Sequence, residues 1–197
     1  VCPLAAWGQD VWDGSVNTDW YTGHESDPSY TITTPEQLAG LAQLVNGDNT
    51  FEGKTITLAN DIVLNEGVLK ENGELNDNAS NFKQWTSIGK GFYYQFKGSF
   101  DGNGHTVSGI YINNENADYQ GLFGYVSATD EGTGGVITNV RVEDSYFDVD
   151  DSVGGIVGHN YGTVSNCSNS GTVIGTGTDG GIVGENGGTV SNCSNSG

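Results

Sequence analysis

Three aspartates in the second half of the chain are the residues best suited to hold a metal ion. Asp148, Asp150 and Asp151 form the segment Asp-Val-Asp-Asp. Carboxylate oxygens are the ligands that Ca²⁺ prefers. However, the segment lacks the spacing and the glycine of an EF-hand loop, and an acidic segment is usually only solvated. We therefore keep a calcium site at these aspartates as a hypothesis and otherwise expect no cofactor.

No group of residues stands out for covalent or acid–base catalysis. Neither HExxH nor CxxC occurs, and no recognisable motif places a serine or cysteine with a histidine. His159 is replaced by Glu185 in a second copy of the same motif, so we expect an exposed side chain rather than a catalytic base. The sole arginine, Arg141, lies between Val140 and Val142 and is expected to point outward. We predict no catalytic residues.

An aromatic segment near the middle of the chain is the best candidate for a contact surface. It contains Trp85, Tyr93 and Tyr94 and is accompanied by half of the six basic residues, namely Lys83, Lys90 and Lys97. Aromatic faces with a few polar neighbours suit sugars or a partner protein. The alternative is that alternate members of the segment fill an interior instead; these are Phe92, Tyr94 and Phe96.

Charge and composition exclude several functions. Asp and Glu outnumber Lys and Arg 25 to 6, which leaves a net charge of −19. Nucleic acid and anionic membrane surfaces repel such a chain, so we expect neither as a partner. No stretch is long and apolar enough for membrane insertion. The 32 glycines follow no collagen period, and together with alternating apolar runs they indicate a folded, β-rich chain with many turns.

The last third of the chain contains one motif twice. Residues 154–171 and 180–197 agree at sixteen of eighteen positions, at an offset of 26 residues. The differences are His159 against Glu185 and Tyr161 against Gly187. A period in the twenties with short Val/Ile runs is typical of a stacked coil of strands, in which successive turns pair at about 4.8 Å. We therefore predict repeats at 154–179 and 180–197.

These residues also resemble a known family. The pattern GG-I-V-G-x-N-x-G-T-V-S-N-C-x-N-x-G is similar to the Glug repeat of bacterial cell-surface proteins, which occurs in adhesin-like proteins and ahead of the catalytic part of some IgA-specific metallopeptidases. The resemblance is close over 154–197 and loose over 121–142, through Gly121-Leu122-Phe123-Gly124. It implies an exported protein with Val1 just after a removed leader, and further repeats after residue 197.

A second resemblance concerns the turn between Phe96 and Val107, which is similar to one common in pectate-lyase-like β-helix proteins. Together the resemblances imply an all-β fold, a right-handed single-stranded parallel β-helix (solenoid) with an N-terminal capping helix. We predict an irregular segment at 1–30, a capping helix region at 31–52 and the β-helix at 53–197. The helix itself is predicted at 34–46, because Thr34 can cap it, Pro35 suits its first turn and its apolar residues share one face.

Four segments of the predicted β-helix can be aligned with one another. Their third position is always Gly or Asn, the residues that tolerate a left-handed backbone, and therefore marks a corner at Gly109, Asn139, Asn166 and Asn192. We expect the three asparagines to stack as a ladder of amides. The fourth position is occupied by Ile110, Val140, Cys167 and Cys193, which places both cysteines in the interior. Whether the two sulfurs are bonded stays open.

The leading hypothesis for function is a non-enzymatic module, secreted or on the cell surface, that acts as an adhesin or stalk and binds a glycan or a host surface protein. The first alternative is a polysaccharide lyase or glycoside hydrolase. The pectate-lyase-like resemblance would then imply Arg141 as a base beside a calcium cluster. The second alternative is the non-catalytic N-terminal part of a surface peptidase.

Overall fold

The computed structural model describes residues 10–129 and 134–197, and within them the chain is mostly β. Cys2 and Trp7 lie outside the described residues. The described chain contains one α-helix, α1 (Pro35–Asn46), and a short 3-10 helix at Ala79–Asn81. The strands are, in chain order, β1 (Ser29–Ile32), β2 (Thr55–Leu58), β3 (Ile62–Val63), β4 (Ser99–Asp101), β5 (Thr106–Ser108), β6 (Tyr111–Gln120), β7 (Phe123–Ser127), β8 (Val136–Thr138), β9 (Arg141–Glu143), β10 (Tyr146–Gly154), β11 (Val157–Tyr161), β12 (Thr163–Ser165), β13 (Ser168–Asn169), β14 (Thr172–Ile174), β15 (Asp179–Gly180), β16 (Val183–Asn186), β17 (Thr189–Ser191) and β18 (Ser194–Asn195).

The helix begins and ends where the sequence predicts. Thr34 has an extended backbone and its side chain accepts a hydrogen bond from the Gln37 N–H, which satisfies one of the free donors of the first turn. Pro35 opens the helix, and Gly47 ends it with its N–H bonded to the last turn. One face, which includes Leu38, Leu41 and Val45, is buried in the main hydrophobic core.

The strands form four sheets in which every pairing between named strands of the described chain is parallel. The largest has the order β1-β2-β4-β8-β12-β17, and a second has the order β18-β13-β9-β5-β3. A third joins β16, β11 and β7, and the fourth contains β6, β10, β14 and β15. Strands that are neighbours in a sheet are therefore far apart in sequence. Each later strand pairs alongside an earlier one, so that successive parts of the chain stack on one another.

The two copies of the motif lie one on the other in the predicted register. Thr163 pairs with Thr189, and Ser168 pairs with Ser194, each 26 residues further along the chain. The paired copies belong to three different sheets, because β11, β12 and β13 each pair with the equivalent strand of the next copy.

The strand pairing starts earlier than residue 53, the predicted start of the stacked strands. β1 pairs with β2 over Ser29 to Ile32, so α1 lies between the first two strands of a sheet rather than before the sheet. The segment from Trp12 to Trp20 packs across the helix. A side chain at Gly40 would collide with the backbone carbonyl of Asn17, so this close approach requires glycine there.

The predicted corners are confirmed. Asn139, Asn166 and Asn192 have φ of 55°, 54° and 53°, and Gly109 has φ of 74°. The residue after each corner points into the core: Val140 and Cys167 are buried, and Cys193 is half-buried against the same core. Both cysteines are free, and the Cys193 Sγ lies 3.4 Å from the Cys167 backbone nitrogen.

The amide ladder forms at other asparagines than those predicted. Asn160 donates from Nδ2 to Asn186 Oδ1 at 2.8 Å, and Asn169 donates to Asn195 at 3.0 Å. Asn139 instead donates to the Asp101 carboxylate. A corner asparagine adopts the left-handed backbone that the turn requires. The four ladder asparagines instead each form a hydrogen bond with the backbone of the glycine two residues further along the chain; these are Asn160, Asn169, Asn186 and Asn195. This bond orients their side-chain amides towards the neighbouring copy.

A candidate aromatic binding face

Trp85, one of the three predicted contact residues, is not on the surface. It is 4% exposed and packs edge-to-face on Trp12 with 5.9 Å between ring centroids. Its ring nitrogen donates to the Leu122 carbonyl at 3.3 Å. The prediction of Trp85 as a binding residue is therefore wrong, because the N-terminal segment covers it and the core satisfies its polar atom.

The other two predicted contact residues lie in a tight turn that projects from the sheets. The turn is closed by the Tyr94 N–H, which donates to the Gly91 carbonyl at 2.9 Å. At its tip Phe92 is 63% and Tyr93 is 82% exposed. Tyr94 is half-buried, and the Lys90 ammonium lies 4.5 Å from its ring centroid. The alternative prediction was that Phe92, Tyr94 and Phe96 fill the interior. Phe96 is indeed buried in the core, but Phe92 is exposed.

The turn is one end of a larger group of rings on the sheet formed by β7, β11 and β16. Tyr125 in β7 pairs in register with His159 in β11, which pairs with Glu185 in β16. Phe92 contacts the Tyr125 ring edge-to-face at 6.1 Å. We call the following six residues the aromatic face: Phe92, Tyr93, Tyr119, Tyr125, His159 and Tyr161.

His159 lies at the centre of this face and is buried, contrary to the prediction of an exposed position. Only 6% of it is exposed, because its ring stacks on Tyr125 and is flanked by Tyr161 at 4.8 Å and by Tyr119 at 5.4 Å. The position that differs between the two copies is therefore buried by neighbouring aromatic rings and not by the hydrophobic core. Neither Tyr125 nor His159 belongs to the main hydrophobic core.

The polar atoms of His159 are poorly satisfied. Nδ1 lies 3.2 Å from Glu185 Oε2, but neither ring nitrogen has a hydrogen-bond partner of good geometry. Burial lowers the pKa of the His159 imidazole, and the Glu185 carboxylate only partly opposes this shift. The ring is therefore neutral at pH 7. Burial likewise raises the pKa of Tyr125 to about 12, so that its hydroxyl stays protonated.

The second difference between the copies has a steric reason. The Tyr161 ring lies over Gly187 of the next copy, and a Cβ at Gly187 would collide with that ring. Tyr161 is 47% exposed, as predicted from the variation at its position. The large ring in one copy and the missing side chain in the next are thus complementary parts of one surface.

The three candidate calcium ligands lie along β10, and each carboxylate accepts a hydrogen bond from within the protein. Among the described residues, no group of three or more His, Cys, Asp or Glu side chains is placed to hold a metal ion. Asp148 accepts from the Tyr146 hydroxyl, and Asp150 accepts from the Thr176 hydroxyl. Asp151 accepts from the backbone N–H groups of its neighbour Ser152 and of Thr178, and these bonds lower the pKa of its carboxyl. Each of the three carboxylates is therefore used in a hydrogen bond within the protein, and Asp150 and Asp151 link β10 to Thr176 and Thr178 near the start of β15.

Arg141 is exposed, as predicted, and it belongs to a different sheet from those aspartates. Its Nε donates to the Thr106 hydroxyl at 3.3 Å in the sheet of β5 and β9, whereas the aspartates lie in the sheet of β10. Close by, His105 Nδ1 lies 3.0 Å from the Asp61 carboxylate, which also accepts from the Thr106 N–H. Arg141 and the three aspartates therefore lie in different sheets.

Comparison with known proteins locates the family signal within the stacked repeats. Residues 151–174 match the GLUG motif. Over 174 residues, 83% of the chain, it is 32% identical to halomucin of Haloquadratum walsbyi. Over 87 residues, 43% of the chain, it is 33% identical to a putative Gly-rich membrane protein of Evansella cellulosilytica. The matched parts are 2% and 9% of those proteins, and no solved structure matches the chain.

None of the helices in the described part of the chain is long and apolar enough to cross a membrane.

Proposed function

We propose that this chain is part of a long cell-surface protein, in which it folds as a right-handed parallel β-helix and acts as a non-enzymatic stalk or adhesin. In this proposal the stacked turns set the length of the protein, and side chains on the outside of the stack make its contacts. The proposal also includes further turns of the same kind in the full protein.

The observation that carries the proposal is the register of the two motif copies. Corresponding residues of the copies pair along β11, β12 and β13 at one constant offset of 26 residues, as in Val157 with Val183 and Thr163 with Thr189. A stack in which each turn contacts only its neighbours can be extended without changing its cross-section. Such an architecture suits a spacer whose length is set by the number of copies.

The similar proteins support the location. One is called halomucin and the other a membrane protein, and each is many times longer than the part that this chain matches. Residues 151–174 also match the GLUG motif, which agrees with the resemblance to repeats of cell-surface proteins. A net charge of −19 is also favourable for a long surface protein, because like charges keep the chains apart and soluble.

The architecture is tested by lengthening the protein. We would insert one to four extra copies of residues 154–179 after Asp179 and measure the maximum dimension by small-angle X-ray scattering. Each copy is expected to lengthen the particle by about 4.8 Å, so that four copies add about 19 Å. The control carries the same number of residues with their order scrambled. An unchanged length, or inserted copies that are unfolded by circular dichroism, would contradict the proposal.

The location is tested separately on intact cells of the source organism. Antibodies raised against the folded chain are expected to label unpermeabilised cells, and mild external protease is expected to remove the label. Labelling that requires permeabilisation would show that the protein is not on the surface.

A further inference from the structure

The aromatic face is the part of the surface where exposed apolar side chains concentrate. Of the six large apolar side chains that are exposed in the described residues, three belong to it, namely Phe92, Tyr93 and Tyr161. The other three are scattered over separate elements; these are Val16, Ile174 and Val190. Exposed rings that cluster on one sheet of a strongly acidic chain indicate a binding surface, whereas single exposed residues need no explanation.

The exposed rings are connected through the buried ring of Tyr125, which is 4% exposed. Tyr93 contacts Phe92 at 5.4 Å, Phe92 contacts Tyr125 at 6.1 Å, and Tyr125 contacts Tyr161 at 6.1 Å. This row of rings crosses the strands, because Tyr125 and Tyr161 lie on neighbouring strands β7 and β11. A ligand lying along the row would therefore follow the direction in which the turns stack.

A second observation also points to a ligand. His159 is more than nine-tenths buried within the row, and both of its ring nitrogens lack a hydrogen-bond partner. Buried polar groups usually have one, so an unsatisfied pair calls for an explanation. Beside it, the Glu185 side chain is half-exposed, with one oxygen 3.2 Å from Nδ1. The exposed part of this carboxylate is the polar group at the row that a ligand hydroxyl can reach.

The size of the row decides between kinds of partner. An aromatic side chain offers about 150–250 Å², so the exposed parts of Phe92, Tyr93 and Tyr161 amount to about 400 Å². A stable protein–protein interface needs about 800 Å² on each partner. Flat rings of this extent beside a carboxylate instead match a short row of sugar rings, whose C–H faces stack on aromatics while their hydroxyls bind polar groups.

The negative charge of the chain indicates which class of sugar the row can bind. The carboxylate of Glu185 lies beside His159 in the row, and the Lys90 ammonium lies over the Tyr94 ring in the turn at one end of it. The whole chain carries a net charge of −19, which repels polyanions. Acidic polysaccharides are therefore disfavoured.

We propose that the aromatic face binds a neutral polysaccharide along the stacking direction, with Tyr93 and Tyr161 as stacking platforms and Glu185 as the acceptor for sugar hydroxyls. This inference rests on the proposed surface function, for which it names the ligand class. Tyr125 and His159 support the platforms from below and are positioning residues.

The test uses the 197-residue chain and isothermal titration calorimetry. The probes are neutral hexasaccharides of glucose and of mannose, with hexagalacturonate as the acidic counterpart. We expect at least one neutral hexasaccharide to bind and hexagalacturonate not to bind. The double variant Tyr93→Ala/Tyr161→Ala should weaken binding roughly tenfold or more, and Tyr161→Phe, which keeps the ring, should bind within about twofold of the unchanged chain.

Matched controls and contrary results are available. Ile174→Ala and Val16→Ala remove exposed apolar groups elsewhere and should leave binding unchanged. The inference is overturned if no neutral hexasaccharide binds, if hexagalacturonate binds better, or if the double variant binds normally. It is also overturned if the chain self-associates and the double variant abolishes this, since the face would then join two copies. A chain that lengthens with inserted copies but binds no sugar would leave the proposed stalk intact.

Discussion

His159 lies face to face with Tyr125, with 4.6 Å between ring centroids and 10° between ring planes. The two residues come from neighbouring strands of a parallel sheet, so their stacking is a direct result of the register between turns. It places an imidazole with unsatisfied nitrogens inside a group of tyrosine rings. The first two predictions follow from this pair.

The free energy of unfolding should depend more on the shape of the side chain at position 159 than on its polarity. His159→Ala removes the ring between Tyr125 and Tyr161 and should lower the free energy of unfolding by about 2 kcal/mol. His159→Phe keeps the stacking and removes two unsatisfied nitrogens, so its effect should stay below about 1 kcal/mol. Urea denaturation followed by circular dichroism measures both. Equal losses for the two variants would show that the nitrogens are needed.

The same residue makes stability depend on pH. Burial lowers the pKa of His159 in the folded state below its unfolded value of about 6.5. Below about pH 6.5 the unfolded chain therefore binds a proton that the folded chain does not, and stability falls as the pH decreases towards the folded pKa. Above that window the contribution is fully present. Denaturation midpoints measured between pH 5 and pH 8 should show this slope.

The control for the pH effect is His159→Phe, which should lack that part of the slope, while His24 and His105 remain in both proteins. In the NMR titration of the unchanged chain, the His159 resonance should change at a lower pH than the resonances of the unfolded chain. An upward shift would mean that Glu185 outweighs burial.

In the asparagine ladder, substitution by aspartate should be more destabilising at the donor, Asn160, than at the acceptor, Asn186. In Asn160→Asp, a carboxylate replaces the amide nitrogen that donates to Asn186 Oδ1 and Gly162 O, so two acceptors face it in the interior. We expect a loss of about 3 kcal/mol in unfolding free energy. Asn186→Asp is the matched control, because Oδ1 of Asn186 is already the acceptor from Asn160 and from the Gly188 N–H.

Asn186→Asp should therefore cost less than about 1 kcal/mol, since the exposed end of the ladder keeps its acceptor and its carboxylate stays in contact with water. Thermal unfolding of the two variants side by side measures the difference. Similar melting temperatures would mean that the ladder does not contribute to stability.

The two stacked cysteines should differ in reactivity. Burial raises the pKa of the Cys167 thiol to about 12, whereas Cys193 lies one turn further on and is half-buried. Because the thiolate is the reactive form and must be reached by the reagent, iodoacetamide should label Cys193 first. The assay is made in a Cys2→Ser background and read by peptide mass spectrometry. Faster labelling of Cys167 than of Cys193 would contradict the buried position of the Cys167 side chain.

Much of the candidate face could have been predicted by extending the internal alignment. Gly121-Leu122-Phe123-Gly124 was recognised as a loose copy of the motif, and the next residue, Tyr125, stands at the position of His159. The contact of Phe92 with Tyr125 could not be predicted in this way, because the turn at 91–94 has no counterpart in the repeats and its path depends on packing. For the same reason Trp85 was misplaced: its cover comes from Trp12, which is distant in sequence.

The sequence by itself determined the parallel, stacked pairing of the repeats, the helix at 34–46 and the corners at the asparagines. These features depend on local backbone preferences and on a period that repeats along the chain, and both are visible in one dimension. Only the tertiary structure decided that His159 is buried, that the amide ladder runs through Asn160 and Asn169, and that the aspartates of β10 each accept a hydrogen bond from within the protein. Those outcomes depend on which side chains of neighbouring strands meet in three dimensions, and the sequence period alone does not determine these contacts.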